Sequence, residues 1–434
     1  TEVNSFPATA KLHKLISMSK NIKLNSLVLP TGDFLTEEKD ILIHLLKTHF
    51  PDCQPTTSYN TAIDVPVHFD NDTIECILNE DKIKWAIFSF MPFKSAGPDN
   101  IFPKLLQSAI HIIIKPLKKL FRASLCSNQI PNIWQSVRVV FIPKPGKNRY
   151  DHPKSFRPIS LTSFLLKTLE RLVDHFIRQH CLVQRPLHLR QHSYQPGKST
   201  ETALHEVVCR IEKALMNNEV CLAAFLDVEG AFDNTSFSLM RAAARNHNVP
   251  KCLVSWITNL LKQRKLCASL KSVTTEMIPV KGCPQGGVLS PLLWNLVADD
   301  LLSTLNDDKF YTVGYADDFV ILLVGKFIDT VYDRMQKALK IIEFWCSKSD
   351  LNINAQKSNI LLFTKRRKLD GIKELFLFGS QIPSVEEVKY LGVILDKKLT
   401  WNAHLRNKYE KSIKILFQCR KIISKQWGLK PKYA

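Results

Sequence analysis

Three aspartates stand where apolar runs stop. Asp227 closes the run 221–226, and Asp317-Asp318 separates the runs 312–316 and 319–324. Strand ends of one sheet bring together side chains that are far apart in sequence. Three carboxylates gathered there repel one another unless a cation lies among them. Hard oxygen donors favour Mg²⁺, which keeps some of its waters and shares oxygens with substrate phosphates. Two such ions about 3.5–4 Å apart activate an attacking hydroxyl and stabilise the leaving oxygen of an in-line phosphoryl transfer. An Asp-Asp pair between strands is also ordinary turn chemistry, so the acids gain meaning only if other groups accompany them.

The elements that must position these acids follow from hydrophobic period. The run 221–226 is a buried strand, and 312–316 with 319–324 reads as a hairpin whose tip is Asp317-Asp318. Apolar residues at 203, 204, 207, 208, 211 and 215 give a helix over 200–216 with a Thr start signal. Further helices are expected over 36–49, 102–114, 165–179, 290–302 and 331–346, with Pro116 kinking or restarting the second of these. Strands are expected at 137–142, 359–363, 375–378 and 389–394. Basic turns are expected at 143–147 and 156–159, and the helix 290–302 follows the Gly-rich stretch 282–287. Pro and Thr accumulate over 55–66, which reads as a linker. The compact part is expected from about residue 81.

The 434 residues exceed a single core, so two to four subdomains of about 100–200 residues each are expected. With 45% hydrophobic and 23% charged residues, a wholly disordered or low-complexity chain is excluded. The 60 Lys+Arg against 40 Asp+Glu give a net charge of +20, which points to a polyanionic partner. Residues 361–434 hold 17 Lys+Arg and 6 Asp+Glu, so this tail carries +11 of that excess. The 11 cysteines form no CxxC pair and read as reduced thiols of an intracellular protein. His188 and His192 are expected as loop residues rather than metal ligands, and no apolar run is long enough to span a membrane.

Three blocks carry a family resemblance. They are Phe225-Leu226-Asp227-Val228-Glu229-Gly230-Ala231-Phe232-Asp233, then Gly282-Cys283-Pro284-Gln285-Gly286-Gly287-Val288-Leu289-Ser290-Pro291, then Tyr315-Ala316-Asp317-Asp318. In type, order and spacing they resemble motifs A, B and C of a reverse transcriptase. Upstream, 94–99, 142–147 and 157–161 resemble the fingers motifs of non-LTR retrotransposon polymerases. Downstream, 354–357 and 390–393 resemble motifs D and E. The style is that of jockey-like elements, and the resemblance covers about residues 80–400.

The resemblance implies RNA-templated DNA synthesis, with nucleotidyl transfer from dNTPs to a primer 3′-OH. It makes Asp227, Asp317 and Asp318 the catalytic ligands of two Mg²⁺ ions, with Mn²⁺ as an alternative, and the main-chain carbonyl of Val228 a minor ligand. Phe232 becomes a steric gate against a ribose 2′-OH. Gln285 meets the nucleotide or the template, and Gly286 lets the backbone come close to the nucleotide. Arg157, Lys144 and Lys147 meet the triphosphate, Arg157 by bidentate contacts. Lys357 becomes the general acid for the departing pyrophosphate. Tyr390, Leu391 and Gly392 position the primer end. Partners are an RNA template, a DNA primer, their heteroduplex and dNTPs, with no membrane and no protein partner, in nucleus and cytoplasm.

The expected fold class is α/β (α+β), a right-hand polymerase. Residues 1–80 form a linker-like lead-in, 81–396 fingers and palm, and 397–434 the start of an incomplete basic thumb. The palm is expected to be a small antiparallel sheet backed by helices. Trp401 and Trp427 in the tail could stack on bases or simply pack. Asn100 stands where the family commonly has glycine, in a turn that Asn also adopts. A catalytically inactive nucleic-acid-binding remnant remains the alternative. An RNA-templated RNA polymerase fits less well, given Ala316 before the acids and Phe232 at the gate.

Overall fold

The run ending at Asp227 forms the strand Val220–Asp227 in the computed structural model, which describes residues 26–29, 31–56, 67–147 and 149–422. This strand is interior to a four-stranded antiparallel sheet. Its neighbours are Asn359–Phe363 on one side and Asp318–Gly325 on the other, with Tyr311–Tyr315 beyond the latter. Alternate side chains enter two cores. Leu222, Ala224 and Leu226 face a core shared with the helices Ser290–Asp307 and Ile328–Ser349. Cys221, Ala223 and Phe225 face a second core with Ala203, Val207 and Ile211 of the helix Thr200–Met216. Both faces are covered, so the strand reads as a continuous apolar run. The helix Thr200–Met216 starts where Ser199 and Thr202 form a reciprocal capping box.

A five-stranded sheet carries the strands on which the block 142–147 begins and the block 157–161 lies. Its order is Gln54–Pro55, Val273–Ile278, Lys265–Leu270, Ser136–Pro143 and Phe156–Leu161. One pairing, Ser136–Pro143 with Lys265–Leu270, is parallel. The mixed α/β class expected from the sequence is therefore observed.

Several local expectations change. The stretch 156–159 is not a turn but belongs to the strand Phe156–Leu161. Pro158 is accommodated because the strand lies at the sheet edge, where a missing donor breaks no ladder on the open side. Pro116 does not restart a helix: Pro103–Ser127 runs through as one element. Leu106, Ile110, Ile114, Leu117 and Phe121 bury one face of it, while Pro116 lies on the exposed face. The region 389–394 is a hairpin, Glu387–Tyr390 with Val393–Asp396. Leu391 and Gly392 form its tip with φ of +45° and +86°, as a two-residue primed turn requires.

Ordered packing also begins before residue 81. The helix Glu38–His49 lays Leu42 and Leu46 on Val137, Val139 and Leu266 of the five-stranded sheet. The helix Asn71–Ile77 adds Ile74 and Ile77 to the main core. The expected linker 55–66 lies mostly outside the described residues, as does Trp427. Trp401 packs half-buried against the second core. Asn100 adopts the left-handed turn conformation, φ +58°. Every described cysteine is a free thiol, and no described helix is long and apolar enough to cross a membrane.

Candidate active site

The sheet register brings the acids together. Asp318 lies directly opposite Asp227, and Asp317 forms the hairpin tip between Tyr315 and Asp318. The tip is locked by backbone and core. Val228 donates its N–H to the Asp317 carbonyl at 3.2 Å, and the buried Trp294 indole donates to the Ala316 carbonyl at 2.8 Å. Ala316 has φ +54°, a conformation uncommon for a side-chain-bearing residue and held by these contacts.

The electrostatics are those of crowded anions. Burial, reinforced by the charge of Asp227, raises the Asp317 carboxyl above its ordinary range. Burial, then the charges of Asp317 and Asp227, push Asp318 up to about 7. A bound cation would reverse this repulsion, and three carboxylates are a hard-oxygen donor set suited to a divalent ion. Among the described residues no three ligating side chains are already drawn round a common point. The donor chemistry fits Mg²⁺, with Asp227 and Asp318 in register across one strand pair and Asp317 in the adjoining turn.

Above the acids lies a cleft of about 690 Å³. It gathers Asp227, Val228, Asp317, Phe232, Gln285, Gly286, Arg157, Lys144 and Lys357, which come from six separate sequence blocks. Lys357 Nζ sits 3.4 Å from Asp227 Oδ2. An Asx turn places it: the Asn354 side chain accepts the Lys357 N–H at 3.1 Å. Lys144 is held below its ordinary pKa by burial first, then by repulsion from Arg157, Lys357 and Lys147. Lys144, Arg157 and Lys357 thus share the cleft with Asp227 and Asp317.

Motif-like segments 230–235 and 282–290 are zipped together. Cys283 N–H donates to the Phe232 carbonyl at 2.7 Å and Gly282 N–H to the Thr235 carbonyl at 2.8 Å. Gly286 has φ +124°, and a Cβ there would lie 2.6 Å from the Ser160 carbonyl oxygen. The close approach that demands glycine is therefore to the edge strand, where Ser160 N–H also donates to the Gln285 carbonyl at 2.8 Å. Phe232 packs between Tyr194 and Trp294, both at 6.4 Å between ring centroids.

Not every expected residue reaches the cleft. Asp318 does not line it, although it feels the charge of both other acids. Tyr390 is buried in the second core against Phe225, with ring centroids 5.5 Å apart, and does not line the cleft. Burial, then the charge of Asp318, raises its phenol. In that block Gly392 is exposed, while Leu391 and Val393 pack half-buried against the second core. His192 is buried, with its ring nitrogens 2.9 Å from Thr202 Oγ1 and 2.7 Å from Glu206 Oε2.

Four residues were missed by sequence reasoning. Asp233 lines the cleft and accepts from Gln285 Nε2 at 2.8 Å. Burial pushes it up to about 7. Glu170 accepts the Val288 and Leu289 N–H groups at 2.7 and 3.0 Å, capping the helix Ser290–Asp307, whose own N-cap Leu289 has no side-chain acceptor. Arg264 donates to the Gly282 carbonyl at 2.5 Å. Tyr194 lines the cleft in a left-handed conformation, φ +52°. A carboxylate amid the apolar residues of helix Phe164–Phe176 was the one sequence signal for Glu170. Asp233 was visible as the last residue of its block, without a role.

A family model described as reverse transcriptase (RNA-dependent DNA polymerase) matches residues 142–395. The chain is 28% identical over 352 residues to the probable RNA-directed DNA polymerase from transposon BS of Drosophila melanogaster, covering 80% of this chain and 39% of that protein. It is 28% identical over 325 residues to the RNA-directed DNA polymerase from mobile element jockey of the same species, covering 73% of this chain and 35% of that protein. Likeness to the probable RNA-directed DNA polymerase from transposon X-element, also of that species, is 28% over 317 residues, or 72% of this chain and 34% of the relative. The chain thus spans less than two-fifths of the length of these relatives.

Proposed function

Since the chain belongs to the reverse transcriptase family, we propose that it is the polymerase core of a non-LTR retrotransposon protein, copying an RNA template into DNA by transferring nucleotidyl groups from dNTPs to a primer 3′-OH. The single observation that carries this reading is the cleft in which Asp227, Asp317, Arg157, Lys144, Lys357, Phe232 and Gln285 converge from distant parts of the chain. Asp227, Asp317 and Asp318, with the Val228 carbonyl, would hold two Mg²⁺ ions. When bound, such ions lower the pKa of an attacking hydroxyl and offset charge on the leaving oxygen.

The protein's own groups account for the remainder. Arg157 and Lys144 bind the triphosphate, Arg157 through its planar fork and Lys144 as a point charge. Lys357 stands beside the acids with a transferable proton for the leaving pyrophosphate. Phe232, fixed between Tyr194 and Trp294, presents a flat ring to the sugar and excludes a 2′-hydroxyl. The Leu391-Gly392 turn lies at the primer end. We assign the five-stranded sheet and its helices to the fingers, the four-stranded sheet to the palm and the helix Asn402–Ile422 to the beginning of the thumb. A heteroduplex would be followed by its phosphates, with salt-sensitive, sequence-independent affinity.

The test is primer extension on an RNA template with dNTPs and Mg²⁺, alongside the doubly substituted Asp317→Ala/Asp318→Ala chain. Extension by the parent and none by the control is expected. If neither extends while both still bind heteroduplex, the chain is a binding remnant and the polymerase reading is wrong.

A further inference from the structure

We propose that Asp233 is a positioning residue that sets the side-chain amide of Gln285 for the incoming nucleotide; the proposal rests on the polymerase reading above. Gln285 lines the cleft. An amide side chain offers a carbonyl acceptor and an NH₂ donor, and a binding site must know which one faces the ligand. Here a carboxylate decides. Asp233 Oδ2 takes the Nε2 hydrogen at 2.8 Å. Ionised, a carboxylate only accepts, so the Gln285 amide turns Nε2 toward Asp233. Its carbonyl oxygen is left for a hydroxyl or N–H donor of the nucleotide.

The pair is built to be rigid. Gln285 and Asp233 sit on the two segments zipped by the Cys283–Phe232 and Gly282–Thr235 hydrogen bonds. The Gln285 carbonyl is tied separately to Ser160, so its main chain cannot follow a wandering side chain. The Gly282 backbone comes so near that a Cβ there would lie 2.5 Å from the Asp233 carbonyl oxygen.

The experiment is single-nucleotide primer extension over a range of dNTP concentrations, for the parent, Asp233→Ala, Asp233→Asn, Gln285→Leu and the double variant Asp233→Ala/Gln285→Leu. Loss of one hydrogen bond of this kind corresponds to about a tenfold change. Asp233→Ala is expected to raise KM for dNTP about tenfold with kcat nearly unchanged. Asp233→Asn, which keeps an accepting oxygen, is expected to restore most of it. The double variant should be no worse than Gln285→Leu alone. An unchanged KM in Asp233→Ala, or additive effects in the double variant, overturns the pairing. Should Asp233→Ala not fold, Asp233→Leu, which keeps the bulk and has no acceptor, breaks the same bond and must give the same rise; a parent-like KM there overturns the proposal equally. A parent that extends no primer overturns the polymerase reading itself and this inference with it.

Discussion

The two walls of the cleft are built on opposite plans. The acidic wall is the end of a sheet covered on both faces, with Asp227 and Asp317 fixed by strand register, a main-chain bond and the Trp294 indole. The basic wall is an edge hairpin, Ser136–Pro143 with Phe156–Leu161, whose outward side chains Val140 and Ile142 lie in solvent and whose Arg157 is exposed. The difference teaches which precision each chemistry needs. In the proposed reaction the carboxylates share small ions, a task that calls for placement within about 0.5 Å, which buried backbone supplies. Cations that must meet a large, diffuse anion can reach it on long side chains.

If that contrast holds, substitutions on the two walls should separate into turnover and binding effects. The largest is expected at Lys357, the one cation seated on the acidic wall. Lys357→Leu should lower kcat by about 10²-fold or more with little change in KM, the range of a lost general acid. A variant with full turnover in the same extension assay would break the assignment. On the basic wall, Arg157→Ala should instead raise KM for dNTP by about tenfold with kcat largely kept, the scale of a charge-assisted contact. The loss should grow smaller at high salt. A fall in kcat alone would show that the hairpin also sets geometry.

The smallest effect is on stability. The Asp318 carboxyl is raised from its ordinary value to about 7. A raised carboxyl binds its proton more tightly in the folded chain. Its stabilising contribution is therefore full below about pH 4 and is lost as pH rises through about 7. Without Mg²⁺, Tm should fall between pH 5 and pH 8, and Asp318→Asn should flatten that fall. Mg²⁺ should flatten it in the parent as well. Thermal melts showing equal slopes in both chains would mean that the acids do not repel one another as described.

Much of the acidic wall was legible in the chain. Strands read as uninterrupted apolar runs, and each run stopped at an aspartate. The helices 200–216 and 36–49 were legible from period and start signals, because amphipathic spacing is a local property. The basic wall was harder. The stretch 156–159 looked like a turn because Arg157-Pro158 carries turn chemistry, and only its place at a sheet edge makes Pro158 acceptable. Pro116 looked like a break because the buried face that holds its helix together is supplied by distant residues. Tyr390 was expected to position the primer end, yet its ring is core.

The sequence by itself determined the set of reactive groups: three acids at strand ends, a Gly-rich loop with Gln285, Phe232, and the cations at 144, 157 and 357. It also determined the strands and helices nearest to them, since side-chain period is written residue by residue. Tertiary structure alone decided adjacency. That Asp318 faces Asp227, that Asp233 holds Gln285, that Glu170 caps a helix some 120 residues away and that Gly286 must clear Ser160 all depend on pairings across the whole chain. Those pairings are selected by burying apolar faces together, a collective free energy that no local window contains.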